Sequence, residues 1–286
     1  MRSRERPEIN RSAYAPYAFS RALVRTLPSA WSARIAGWLG DRQRRSSALD
    51  RAAVQANLTA MLGRPVAAAD PEVRSVFRHF LWYLFELLSS ERWDEAGLSV
   101  SGAEEAAQGL RPFRGGILLS AHVGNWEVAA MALARLGVPI AAVALPHRDR
   151  RVDALFNGLR HRWGIGTIVV GSGASHEIIR RLRRGEWIGL MGDREFFGQG
   201  IPVRWFGRLA RLPAGPAMLS LRTGCPILPV ACVRERPLRL RMHVDEPILP
   251  DGLSRQPLAQ RAGMALERLI RLAPEQWVIF RKVFDE

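Results

Sequence analysis

The sequence predicts an α/β fold: a mainly parallel central sheet flanked by helices, with an N-terminal helical region docked on it. Three observations carry this. From about residue 97 short aliphatic runs, bounded by Gly, Pro or Asn, alternate with segments of helical period. Before that point the apolar spacing is helical throughout. The composition, 48% hydrophobic and 24% charged, belongs to a folded chain and excludes global disorder. A length of 286 residues suits one large domain or two small ones. The grammar divides it into a helical part, 1–95, and an α/β part, 96–286, expected to form one structural unit.

The elements follow in order. Met1-Arg2-Ser3-Arg4-Glu5-Arg6 is charged, with no apolar secretory core behind it. Residues 12–40 hold two short amphipathic patterns. In the second, Ser29 can cap a helix with Trp31, Ile35, Trp38 and Leu39 on one face and Gly40 at its end. Arg34 and Arg42-Gln43-Arg44-Arg45 lie alongside, so this helix suits either a membrane interface or packing on its own domain. Residues 47–62 form a further helix. Asp70 then caps a long one, Pro71 takes its first position, and apolar residues recur from Val73 to Leu88. Trp82, Tyr83 and Phe85 make it apolar nearly all round; it is deeply buried, or faces lipid or an acyl chain. Strands are predicted at 98–102, 117–120, 140–144, 167–170, 188–191, 203–205, 227–233 and 238–244. Helices fall near 126–136, 149–163, 174–184, 213–223 and 256–272. No stretch reaches 18 uninterrupted apolar residues, so no spanning helix is predicted.

Charge narrows the partners. The formal net charge is +15, and every basic residue except Lys282 is an arginine. Arginine pairs with phosphate and carboxylate in bidentate fashion, so anionic partners are expected: membrane lipid, a phosphorylated ligand, an acidic carrier protein or nucleic acid. Arginine clusters around 148–151, 180–184 and 234–241 could hold the chain on an anionic bilayer. A nucleic-acid-binding protein without catalysis would show a recognised motif or aromatics interleaved with basic residues on a sheet, and neither is present. Cys225 and Cys232 have no metal or redox spacing and read as buried free thiols. The six histidines form no metal cluster, and no cofactor is expected.

One stretch carries chemistry: Ser120-Ala121-His122-Val123-Gly124-Asn125-Trp126-Glu127. On a single helix, residues five apart point about 140° from each other. Here an apolar strand ends at Ser120 and a helix starts after Asn125, a good N-cap, so His122 in the turn and Glu127 in the first helical turn can face one cleft. An imidazole beside a carboxylate can take a proton from a hydroxyl. A structural histidine and a glutamate that only complements the helix dipole are the bland alternative.

Further blocks accompany it in order. Leu145-Pro146-His147-Arg148 precedes Asn157-Gly158-Leu159-Arg160-His161-Arg162-Trp163-Gly164. Gly192-Asp193-Arg194-Glu195 leads into Ile201-Pro202-Val203-Arg204-Trp205-Phe206-Gly207. Pro213-Ala214-Gly215-Pro216-Ala217 and Ala273-Pro274-Glu275-Gln276-Trp277 follow. In this order the chain resembles the lysophospholipid acyltransferase superfamily, in its lipid A biosynthesis (lauroyl/myristoyl) branch, from about Asn57 to Phe284. The Asp-Arg-acid block is similar to the phosphatidylinositol mannoside acyltransferase branch. The resemblance implies a glycerol-3-phosphate acyltransferase-like fold. It also implies transfer of a fatty acyl group, from acyl carrier protein or acyl-CoA, to a hydroxyl of a glycolipid or lipid A-type acceptor. The place implied is peripheral, at the cytoplasmic face of the bacterial inner membrane, without nucleic acid. His122 would be the general base and Glu127 would orient it. Substrate would be bound by Asn125, Arg148, Arg160 (or Arg162), Asp193 with Arg194 or Glu195, and by Phe206 and Gly207, with Trp205 beside them. No Gly-x-Ser-x-Gly elbow exists, which favours direct attack over an acyl-enzyme.

Overall fold

The computed structural model describes residues 14–284. Met1–Arg6 and the start of the 12–40 region lie outside them. Four helices lead: α1 (Tyr14–Thr26), α2 (Ser29–Ser46), α3 (Ala48–Leu62) and α4 (Pro71–Ser89). The α/β part then runs β1 (Ser99–Ser101), α5 (Ala103–Leu110), β2 (Gly116–Ser120), α6 (Trp126–Arg135), β3 (Ile140–Ala144), α7 (Arg150–Arg162), β4 (Gly166–Val169), α8 (Ala174–Arg183) and β5 (Trp187–Met191). It closes with β6 (Ile201–Trp205), β7 (Arg208–Leu212), α9 (Gly215–Thr223), β8 (Ile227–Arg236), β9 (Arg239–Val244) and α10 (Arg255–Arg271).

Seven strands form one sheet in the order β1-β9-β8-β2-β5-β3-β4, parallel everywhere except between β8 and β9. Strands β6 and β7 make a separate antiparallel hairpin. The central strand β2 is buried at every position, as a parallel strand covered on both faces must be. Its alternation sorts the core into two layers. Ile117 and Leu119 join the layer that holds Leu258 and Leu266 of α10, while Leu118 joins the layer of Val128 and Met131 of α6 and Leu87 of α4.

The helical region differs from expectation in one instructive way. α2 does not stop at Gly40 but continues to Ser46. Its buried face is Ser32, Ala36, Gly37, Gly40 and Asp41, not the tryptophans. A Cβ at Gly40 would lie 2.8 Å from the Arg78 Cα, so the glycine is there for close approach to α4, not for a helix end. With small residues inward, Trp31 and Trp38 turn out and are each 57% exposed. Asp41 is clamped by Arg74 and Arg78 of α4, whose hydrogen bonds hold its carboxyl well below the usual carboxylate range. α4 starts at Pro71 as the sequence predicts, but the Asp70 carboxylate accepts from the Ala67 N–H and caps no helical amide.

Candidate active site

The site is assembled at the C-terminal ends of two neighbouring parallel strands. β2 and β5 run in register, Ser120 opposite Met191, and the Gly192 N–H extends the ladder to the Ser120 carbonyl at 2.8 Å. Two residues past each strand end therefore stand His122 and Asp193. The His122 main-chain N–H donates to Asp193 Oδ2 at 2.7 Å, and its ring Nδ1 lies 2.8 Å from Oδ1. The indole N–H of Trp277 donates to Oδ2 at 2.8 Å. Asp193 is fully buried, and burial pushes its carboxyl up. The adjacent His122 and the hydrogen bonds from His122 and Trp277 outweigh that, and the carboxyl sits below its ordinary value. An ionised carboxylate only accepts, so Nδ1 carries the proton and Nε2 is left as the basic nitrogen. The His122 side chain keeps 21% exposure while its carboxylate partner keeps none, so the imidazole is reachable and its support is not.

The turn between β2 and α6 is held rigidly. Gly124 has φ 65°, and a Cβ there would lie 1.9 Å from the Cys232 carbonyl oxygen of β8, which only glycine avoids. The Asn125 N–H donates to that carbonyl at 2.8 Å. Asn125 caps α6 through Oδ1, accepting from the Val128 N–H at 3.1 Å; its Nδ2 donates to Glu86 at 2.9 Å and to the Tyr83 carbonyl at 3.2 Å. It is wholly buried, and its expected place against substrate is corrected: its polar atoms are consumed by the fold. Beneath it, Glu86 of α4 forms a buried ion pair with Arg234 of β8, and Arg234 Nη1 lies 2.7 Å from His79 Nδ1. The Trp126 ring meets His122 edge-on at 4.9 Å and stacks on Tyr83 at 4.3 Å.

Glu127 does not hold the imidazole. Its carboxylate is taken by Arg160 of α7, through Nε at 3.0 Å and through Nη2, and both side chains are buried. The parallel register brings a different acid to His122 than the one nearest in sequence. Burial disfavours the Arg160 charge, but Glu127 outweighs it and raises the guanidinium above its usual range. Arg160 also donates to Asn157 at 3.1 Å. Of the two arginines open from sequence, Arg160 is inside and Arg162 is exposed. Arg148 is exposed in the loop after β3.

The remaining expected residues divide. Arg194 follows Asp193, lies over the Phe196 ring at 4.4 Å, and is lowered by burial and by neighbouring Arg281. Glu195 accepts from the Phe197 and Gly198 N–H groups at 2.8 and 2.6 Å, folding its own loop. Phe206 and Gly207, expected to line a cleft, are the two-residue turn between β6 and β7, with φ of 48° and 74°. Phe206 is buried beneath Arg271, its N–H bonded to Glu267, and Trp205 is fully buried core. Sequence reasoning missed Trp277 and Gln276 as site residues. Gln276 exchanges two hydrogen bonds with the Arg234 main chain, at 2.8 and 2.7 Å, and its carbonyl accepts from the Gly124 N–H at 3.1 Å. A separate cavity of about 650 Å³ lies between α2 and α4, with Arg34, Trp38, Arg78, Trp82 and Leu238 in its walls. Among the described residues no cluster of His, Cys, Asp and Glu can hold a metal.

An accessible, oriented imidazole at the C-terminal end of a central parallel strand fits proton transfer from a hydroxyl, and comparison with known proteins names the family. Residues 7–286 match the bacterial lipid A biosynthesis acyltransferase family. The chain belongs to that family. It is an acyltransferase. It is 27% identical over 224 residues to a phosphatidylinositol mannoside acyltransferase of Mycolicibacterium smegmatis, covering 76% of this chain and 73% of the relative. A phosphatidylinositol mannoside acyltransferase of Mycobacterium tuberculosis is 27% identical over 186 residues, 62% of this chain and 59% of the relative. Among the described residues no helix of the acyltransferase is long and apolar enough to cross a membrane.

Proposed function

We propose that this acyltransferase moves a fatty acyl group from the thioester of acyl carrier protein or coenzyme A to a sugar hydroxyl of a membrane glycolipid, without a covalent acyl-enzyme. The observation that carries the reading is the reachable, half-buried His122 imidazole bound through Nδ1 to buried Asp193. His122 Nε2 takes the proton of the acceptor hydroxyl as its oxygen attacks the thioester carbonyl carbon. The carbonyl oxygen becomes the oxyanion of a tetrahedral intermediate. The N–H groups of Trp126 and Glu127, in the first turn of α6, have no intrahelical acceptor and are suited to receive it. The C–S bond then breaks, and the imidazolium returns its proton to the departing thiolate. Asp193 holds the tautomer and stabilises the transient cation. Glu127 and Arg160 fix α6 against α7 through their buried ion pair.

The names of the relatives favour a phosphatidylinositol mannoside-type acceptor over a lipid A-type one. Trp31 and Trp38, exposed beside Arg34, suit a peripheral seat on an anionic bilayer, which fits the cytoplasmic face of the inner membrane. Arg234, counted from sequence among the basic clusters, contributes nothing there because it is buried against Glu86. The test is mass spectrometry of lipids from cells carrying the parent protein or His122→Ala. One lipid class is expected to lack a single ester-linked chain in the variant, with turnover down about 10²–10⁴-fold. Unchanged lipids with full turnover by His122→Ala would refute the reading.

A further inference from the structure

We propose that Trp277 is a positioning residue of the site, acting through Asp193 to fix the basic nitrogen of His122. The inference rests on the acyl-transfer reading above and concerns a residue that reading leaves without a role.

Three donors converge on one carboxylate: the His122 main-chain N–H and the Trp277 indole share Oδ2, and the His122 ring alone takes Oδ1. With Oδ2 doubly occupied, Asp193 has one oxygen to offer the imidazole, and the ring is held in one orientation and one tautomer. Trp277 reaches this place from the far end of the chain because its backbone is stitched to the same turn. The Val278 N–H donates to the His122 carbonyl at 2.8 Å, Val123 and Trp277 form a bridge, and Gln276 binds both Gly124 and Arg234. The indole is buried, and the aromatic rings of Trp205 and Phe206 support it at 5.6 and 6.1 Å. Its N–H also draws charge from Asp193, which among the described residues otherwise faces His122 and the neighbouring Arg194. Without that donor the carboxylate is more basic and stabilises the imidazolium more strongly.

Trp277→Phe keeps a buried ring and deletes the donor. Expected are a fall in kcat of about tenfold, a KM for acyl donor within about twofold of the parent, and an acid limb of kcat/KM moved up by about half a pH unit. Trp205→Phe is the packing control. Trp205 is equally buried, lies edge-on to Trp277, and its indole nitrogen has no partner, so its acid limb stays in place. Parent-like kinetics in Trp277→Phe overturn the proposal. So does an equal loss at every pH with an unmoved limb, since mere packing would give that. If Trp277→Phe does not fold, protein labelled with ¹⁵N-tryptophan decides: Asp193→Asn is expected to shift one indole N–H resonance, and an unmoved indole spectrum overturns the proposal. His122→Ala in the same assay separates the two ideas. Its full activity would sink the catalytic reading, whereas an inactive His122→Ala with a parent-like Trp277→Phe sinks only the role of Trp277.

Discussion

Two buried carboxylates flank the turn that carries His122, and they do opposite work. Asp193 stands one strand away from His122 and faces a reachable imidazole through a carboxylate closed to solvent. Glu127 lies five residues along the chain from the same histidine, yet its charge is spent on Arg160 in the interior. The difference teaches that closeness in sequence sets the elements, while sheet register sets the partners. A helix started at Trp126 turns Glu127 toward α7; a ladder pairing Ser120 with Met191 delivers Asp193.

This contrast can be broken by removing each acid in turn. The largest effect is expected from Asp193→Asn, which leaves the imidazole free to take the wrong tautomer: kcat should fall about 10²–10⁴-fold, with KM changed much less. Steady-state kinetics on the folded variant check it, and a loss under tenfold would place the support elsewhere. Glu127→Ala should show first as instability. It strands the buried Arg160 guanidinium, and breaking such a pair costs about 3–5 kcal/mol, readable as a lowered midpoint in denaturant. An unchanged midpoint would mean that Arg160 finds another partner.

The third effect concerns the layer under the turn. Burial first, and then Arg234, push His79 down to about 3. Between that value and the ordinary histidine range near 6.5 the unfolded chain binds a proton that the folded one refuses. Stability is therefore full above about pH 6.5 and declines as pH falls, by at most about 1.4 kcal/mol per unit. His79→Gln, which retains an acceptor for Arg234, should flatten the slope of unfolding free energy between pH 6.5 and 5. An equal slope in both proteins would assign the acid sensitivity to other groups.

Much of this was legible in the chain. The alternation of short aliphatic runs and helical periods located nearly every strand and helix, because a doubly covered parallel strand has to be apolar throughout. The Asn125 cap and the start of α4 at Pro71 followed from local chemistry. α5 and β7 were missed for physical reasons. Ala103–Leu110 is short and alanine-rich, with little apolar stripe to read. In Arg208–Leu212 only Ala210 and Leu212 are buried, while Leu209 points out and two arginines interrupt the apolar run, so the alternation is masked. Gly40 misled because a glycine that lets helices touch looks, in one dimension, like one that ends them. Of the candidate site, His122 and Asp193 were legible as polar residues just past two strand ends. What joins them was not: the hydrogen bonds to Asp193 span 71 and 84 residues, and no spacing rule carries that information.

The central claim is that Asp193, and not Glu127, holds the imidazole. Proton NMR of ¹⁵N-histidine-labelled protein tests it most directly, through the downfield Nδ1–H resonance of His122. The resonance is expected in the parent and in Glu127→Gln, and is expected to vanish in Asp193→Asn. Its survival in Asp193→Asn together with its loss in Glu127→Gln would contradict the account.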